Sequence, residues 1–232
     1  MKRYFLTVLI LSILSSNIYS ATRDQLARRI KTAEKIIDKM IKSPDVPIPL
    51  SLLHRCYAIA IIREYRGGFF IGGRGGNGII IARDKESGEW SPPAFIATAE
   101  FNIGPQIGIQ SIDAILFFMS KDSFDMLLKS KIKLGIDTSV SAGPYGRELG
   151  AKVTPKAGII IYSTAKGLYA GAIIEGGVLV SDDKANEEFY KIKGIKIRDI
   201  LVRKKVKMPK EAETLIDKLK RWSKINVNLE IK

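Results

Sequence analysis

Nineteen of the chain's 20 glycines fall between Tyr57 and Val180, interspersed with short runs of isoleucine, valine, alanine and phenylalanine. Apolar runs bounded by Gly, Pro or charge are strand signals. They recur at Ala58–Ile62, Phe69–Gly73, Gly78–Ala82, Ala94–Glu100, Ile112–Met119, Gly158–Tyr162, Leu168–Ile174 and Gly177–Val180. Glycine inside strands marks bulges, sharp bends and close backbone approach. The connections between runs are too short for parallel crossovers, which need a dozen residues or more. One interval, Lys121–Lys129, has helical spacing, with Phe124, Leu127 and Leu128 on one face. The expected fold is α+β, with a central antiparallel, glycine-rich, bent sheet.

Helical patterning brackets that sheet. Thr22 and Gln25 fit a capping box. Leu26, Ile30, Ala33, Ile37 and Met40 follow at spacings of three and four, predicting an amphipathic helix to about Lys42. Ser43-Pro44 and Pro47-Ile48-Pro49 end it, and a short helix is expected over Leu50–Arg55. Beyond Val180, Asp182 and Asp183 are placed to cap a helix through Tyr190, and Ile200–Val206 reads as a basic connector. Pro209 suits a first helical position. Ala212, Leu215, Ile216, Leu219 and Trp222 form the apolar stripe of a last helix. Residues 21–232 thus read as one domain, with a helical flank (21–56), a β-rich core (57–190) and a basic helical flank (191–232).

The formal charge of +14 is carried by the flanks. Residues 57–190 hold 14 basic and 15 acidic side chains, residues 21–56 hold 8 and 4, and residues 191–232 hold 14 and 5. Such basic surfaces attract anionic lipid headgroups, nucleic acid or acidic proteins; a solvated basic face with no specific partner would show the same counts. Candidate lipid-binding residues are Arg28, Arg29, Lys31 and Lys35 of the first helix, and Arg203, Lys204, Lys205 and Lys207 of the C-terminal connector.

The compartment is read from residues 1–20. Lys2 and Arg3 precede an apolar stretch from Phe5 to Leu14, and small and polar residues follow to Ser20. That is the layout of a secretory signal peptide. Export, to a periplasm or beyond the cell, disfavours nucleic acid as a partner. Cys56 and His54 are the only cysteine and histidine. They exclude an intrachain disulfide and a Cys/His-rich metal site, and Cys56 reads as a core thiol. No metal or cofactor is expected. Gly73-Arg74-Gly75-Gly76-Asn77-Gly78 matches GxGxxG, but Ile79-Ile80-Ile81 after it reads as a strand where a dinucleotide site needs a helix. The run is read instead as a glycine-rich hairpin turn. Ser139, Ser141 and Ser163 lie in no GxSxG motif. The acids Glu100, Asp113, Asp137 and Glu175 have no spacing that selects a catalytic pair, so no catalytic residue is assigned.

Trp90-Ser91-Pro92-Pro93-Ala94-Phe95 is the most distinctive segment. Two prolines fix an extended path without backbone donors. The flanking Trp90 and Phe95 could pack a sheet edge or contact a bilayer interface.

Taken in order, several segments resemble the SYLF domain family, also known as a yeast-type actin-binding family. They are Gly72-Gly73-Arg74 with Gly78, Trp90–Phe95, Gln106–Asp113, Lys133-Leu134-Gly135, Ser141–Arg147, Tyr162-Ser163, Lys166–Gly171, Glu175-Gly176 and Asp182–Asn186. The resemblance spans roughly residues 24–222. It implies binding of phosphoinositides or other acidic lipids, actin binding in fungal members, and no known reaction. It also implies an amphipathic N-terminal helix that supports lipid binding, which Thr22–Lys42 matches in position. For an exported member the expected ligand is an acidic phospholipid at a membrane surface, bound peripherally. The alternatives are an acidic protein partner in the cell envelope and, last, carboxylate-based enzymatic chemistry.

Overall fold

The computed structural model describes residues 21–43, 48–69, 72–102, 107–129, 131–134, 136–142, 157–164 and 177–224. The signal-peptide reading of residues 1–20 and the strand expected at Leu168–Ile174 lie outside them. In chain order the elements are α1 (Arg23–Lys42), α2 (Ser51–Arg55), β1 (Ala58–Phe69), β2 (Gly72–Ala82), β3 (Ala94–Asn102) and β4 (Ile107–Phe118). Then come α3 (Lys121–Lys129), β5 (Ile132–Lys133), β6 (Val140–Ala142), β7 (Ile159–Ser163), β8 (Val178–Ser181), α4 (Asp183–Tyr190), α5 (Ile197–Leu201) and α6 (Lys210–Ser223).

The strands form one eight-stranded sheet in the order β5-β8-β3-β2-β1-β4-β7-β6. The pairings are antiparallel except β6 with β7, which is parallel. The order forces curvature. Laid flat, β5 and β6 would be seven spacings apart, about 34 Å. The chain from Lys133 to Val140 reaches at most about 25 Å. The sheet therefore curls until its outermost strands are joined by a short loop, inside which Leu134 and Thr138 form an isolated bridge.

Side-chain size differs between the two faces. One face carries Ile59, Ile61, Ile79, Ile81, Phe95, Ile115 and Phe117, covered by α1, α2, α4 and α6. The other carries Ala58, Ala60, Ala82, Ala94 and Ala114 among larger residues, and is covered by α3 and by Ile195–Leu201. The alanines of the sheet are thus gathered on this second face. Gly76 and Gly78 lie on that face by register, opposite Glu64 and Ile62. A Cβ on Gly78 would fall 2.1 Å from the Ile61 carbonyl oxygen, and one on Gly76 would fall 2.6 Å from Thr98 Oγ1. The run Gly73–Gly78 is therefore the body of β2, paired on both sides, and not the hairpin turn read from sequence. The run Phe69–Gly73, read as one strand, instead straddles the end of β1 and the start of β2.

The expected capping box closes α1. Thr22 N–H donates to Gln25 Oε1 at 2.8 Å, and Gln25 N–H to Thr22 Oγ1 at 3.4 Å. Asp182 caps α4 by accepting from Ala185 N–H at 3.1 Å. The segment Trp90–Phe95 is interior: Trp90 is 3% exposed and Phe95 0%. Ser91 Oγ accepts from Ala82 N–H at 3.0 Å, and Tyr190 Oη donates to the Pro93 carbonyl at 2.6 Å. Asn186, fully buried, clamps Phe95, accepting its N–H at 2.8 Å and donating to its carbonyl at 3.2 Å. These residues weld α4 to β3, so the motif is structural. The reading of Trp90 and Phe95 as membrane-contact aromatics does not fit this packing. Cys56 is a core thiol, pushed up to about 12 by burial.

Candidate anion-binding surfaces

Helix α1 presents its charges in one line. Leu26, Ile30, Ala33, Ile36, Ile37 and Met40 are all buried against the sheet. Burial of the five larger side chains contributes about 2 kcal/mol each, so lifting α1 off to expose them would cost on the order of 10 kcal/mol, comparable with the stability of a whole domain. The apolar stripe belongs to the core and is not available for insertion into a bilayer. Opposite it, Arg28, Lys31, Lys35, Lys39 and Lys42 are exposed. At 3.6 residues per turn they fall within about 80° of arc over about 21 Å. Two of the helix's three carboxylates are turned aside: Glu34 meets Lys218 of α6 at 2.8 Å, and Asp38 pairs with the same ammonium, whereas Asp24 stays exposed one turn before Arg28 on the edge of the stripe. Lys31 pairs with Glu34 at 3.1 Å. Arg29 leaves the stripe, half-buried, to pair with Asp182 at 3.1 Å. Arg28, Lys35, Lys39 and Lys42 have no carboxylate partner among the described residues.

The C-terminal cluster is arranged differently. Arg203 and Lys205 both reach Asp199 of α5, at 3.0 and 2.9 Å. Asp199 also accepts the Lys196 N–H at 3.2 Å, capping α5. These partners, the two cations first, hold its carboxyl down at about 2. Lys204 lies 3.6 Å from Asp84 in the β2–β3 turn. Lys207 is exposed without a carboxylate partner among the described residues. The cluster follows α5, which covers the alanine-bearing face, whereas α1 covers the other face. The structure does not bring the two predicted sets of cations together.

A further group of cations, all but Lys204 outside the sequence-based candidates, lines a separate cleft. A cleft of about 470 Å³ lies between the β2–β3 turn, α3 and α5, floored by Tyr57, Phe124, Leu201 and Val202. Its rim carries Arg83, Lys85, Lys121, Arg198 and Lys204 against Asp84, Glu86, Glu89 and Asp125. Lys121 pairs with Asp125, Lys204 with Asp84, and Glu89 with Lys220. Arg83, Lys85 and Arg198 remain without a carboxylate partner among the described residues. Arg83 Nη1 donates to the His54 carbonyl at 2.9 Å, while its Nε is buried with no partner. Lys85 donates to the Arg55 carbonyl at the end of α2, with its ammonium 4.4 Å from the Tyr57 ring centre. Burial, with the charges of Arg83 and Arg55, holds the Lys85 ammonium below its usual range. The signal in sequence was local, Arg83-Asp84-Lys85 at a strand end; summing charge over residues 57–190 hid it.

Among the described residues no helix is long and apolar enough to cross a membrane, and no group of three or more His, Cys, Asp or Glu could hold a metal ion. Asp113 forms a two-pronged ion pair with Arg63 across β1 and β4, at 2.6 and 3.0 Å, so it is committed to the sheet.

The sequence model of the Ysc84 family, described as "Las17-binding protein actin regulator", matches residues 99–222. The chain is 36% identical to LAS seventeen-binding protein 3 of Saccharomyces cerevisiae over 175 residues, 71% of this chain and 38% of the relative. It is 30% identical to SH3 domain-containing YSC84-like protein 1 of Mus musculus over 200 residues, 83% of this chain and 58% of the relative. The matches thus span less than two thirds of these relatives' lengths. The chain belongs to the Ysc84, or SYLF, family.

Proposed function

We propose that this protein is a non-enzymatic, exported binding protein that docks on an acidic phospholipid surface through the basic stripe of α1. The observation that carries the reading is the alignment of Arg28, Lys35, Lys39 and Lys42 on one exposed edge, against a single exposed carboxylate, Asp24, at its N-terminal end. Each Lys or Arg near an anionic surface contributes about 1 kcal/mol. Four give a useful, reversible and salt-sensitive attachment without inserted side chains. Export is read from the order of residues 1–20. Co-sedimentation with phosphatidylglycerol vesicles, against phosphatidylcholine vesicles, tests the reading. Binding should require the anionic lipid and fade as salt rises from about 50 to 300 mM. Salt-independent binding, or equal binding to neutral vesicles, would refute it.

A second reading has a specific observation in its favour. The relatives' printed names call one of them a binding protein of another protein, and a rigid basic stripe suits an acidic protein as well as a bilayer. Failure with every anionic vesicle would favour an acidic envelope partner.

A further inference from the structure

The cleft between the β2–β3 turn, α3 and α5 is separate from the α1 stripe, and its charge balance selects a ligand. Once internal ion pairs are removed, three cations, Arg83, Lys85 and Arg198, face one carboxylate, Glu86. The surplus is two positive charges. Two of the three are guanidinium forks, whose planar donors match phosphate oxygens pairwise. Arg83 is braced at one nitrogen, where Nη1 donates to the His54 carbonyl. Lys85 is braced by a carbonyl and an aromatic ring. Bracing of this kind lowers the entropy lost on binding. The Phe124, Leu201 and Val202 floor offers apolar surface for a carbon body, and the volume lies in the range of small-ligand sites.

We propose that this cleft binds the dianion of a phosphate monoester. A monoester, whose second proton leaves near pH 6, matches the surplus of two; a phosphodiester carries one negative charge and leaves half of it unbalanced. The monoester can belong to a soluble metabolite or to a lipid headgroup.

Two probes distinguish these sources. Glycerol 3-phosphate represents the soluble monoester, read by the melting temperature in phosphate-free buffer at pH 7.5. Phosphatidic acid vesicles represent the lipid monoester, compared at equal mole fraction with phosphatidylglycerol, a diester. A concentration-dependent rise in melting temperature identifies the soluble source, because a ligand binding only the folded state raises it. A several-fold preference for phosphatidic acid identifies the headgroup. Either effect should disappear in Arg83→Gln and in Arg198→Gln. Arg198 supplies the second variant because its side chain makes no hydrogen bond to the described residues, so its loss does not threaten folding. Arg28→Gln/Lys35→Gln/Lys39→Gln/Lys42→Gln separates this site from the α1 stripe: it should abolish phosphatidylglycerol binding and leave the glycerol 3-phosphate response intact. The absence of both effects in the wild-type protein, or their persistence in both cleft variants, would overturn the proposal.

Discussion

The chain carries two basic flanks of similar appearance in sequence, and the fold pairs their charges differently. In α1 the acids Glu34 and Asp38 turn toward Lys218, leaving Arg28, Lys35, Lys39 and Lys42 as one exposed line. After α5 the cations turn inward on acids: Arg203 and Lys205 share Asp199, and Lys204 approaches Asp84. Net charge is therefore a poor guide to attraction. What matters is whether the neighbouring acids face the same way. A paired lysine must give up its carboxylate before it can serve a phosphate, and surface pairs of this kind are worth up to about 1 kcal/mol each.

The largest effect that sharpens the contrast is on binding. Neutralising Arg28, Lys35, Lys39 and Lys42 to Gln should cost about 4 kcal/mol at low salt, roughly a thousandfold in vesicle partition, with the melting temperature unchanged. Next comes a test of the helix's underside. Ile37→Ala, at a position with no exposure, should remove about 2–4 kcal/mol of stability in urea unfolding and leave vesicle binding of the folded protein unchanged. Loss of binding without loss of stability would mean that α1 inserts its apolar face, breaking the contrast.

The smallest effect lies in the other flank. The Asp199 carboxyl is held at about 2 by its hydrogen bonds to Lys205 and Arg203, below the unfolded value of about 3.9. A depressed folded value contributes stability above the unfolded pKa and loses it as pH falls through the folded one. The stability difference between wild type and Asp199→Asn should therefore be present at about pH 6, near 1 kcal/mol given the exposed partners. It should shrink between about pH 4 and pH 2. A difference that persists at pH 2 would show that these ion pairs do not hold α5.

Features set by neighbours three or four residues apart were legible in the sequence. The Thr22–Gln25 box, the stripe of α1, the helix at Lys121–Lys129 and the stripe of α6 all appear as read. Features set across strands were not. β1 continues past Ile62 through Arg63 and Glu64 because Arg63 is matched by Asp113 across β4, a partner 50 residues away. The glycine run of β2 resembled a turn because its reason, room for Thr98 and for the Ile61 carbonyl, lies on neighbouring strands. α5 has five residues and β5 two, too few to show a period. Among the site residues, Arg28 and Lys35 are exposed as expected. The pairing of Arg29, Arg203 and Lys205 depends on tertiary contacts with Asp182 and on the local fold of α5.

The central claim, that one basic edge faces the membrane and the other does not, is tested most directly by a pair of labelled single sites. Cys56 is buried, with its thiol pushed up to about 12, so it will not compete for a thiol-reactive dye at neutral pH. An environment-sensitive fluorophore is attached to Lys35→Cys in one protein and to Lys205→Cys in another, and each is mixed with phosphatidylglycerol vesicles at low salt. The account predicts a blue-shifted, quencher-protected emission at position 35 and an unchanged spectrum at position 205. A shift at position 205 with none at position 35, or equal shifts at both, would contradict it.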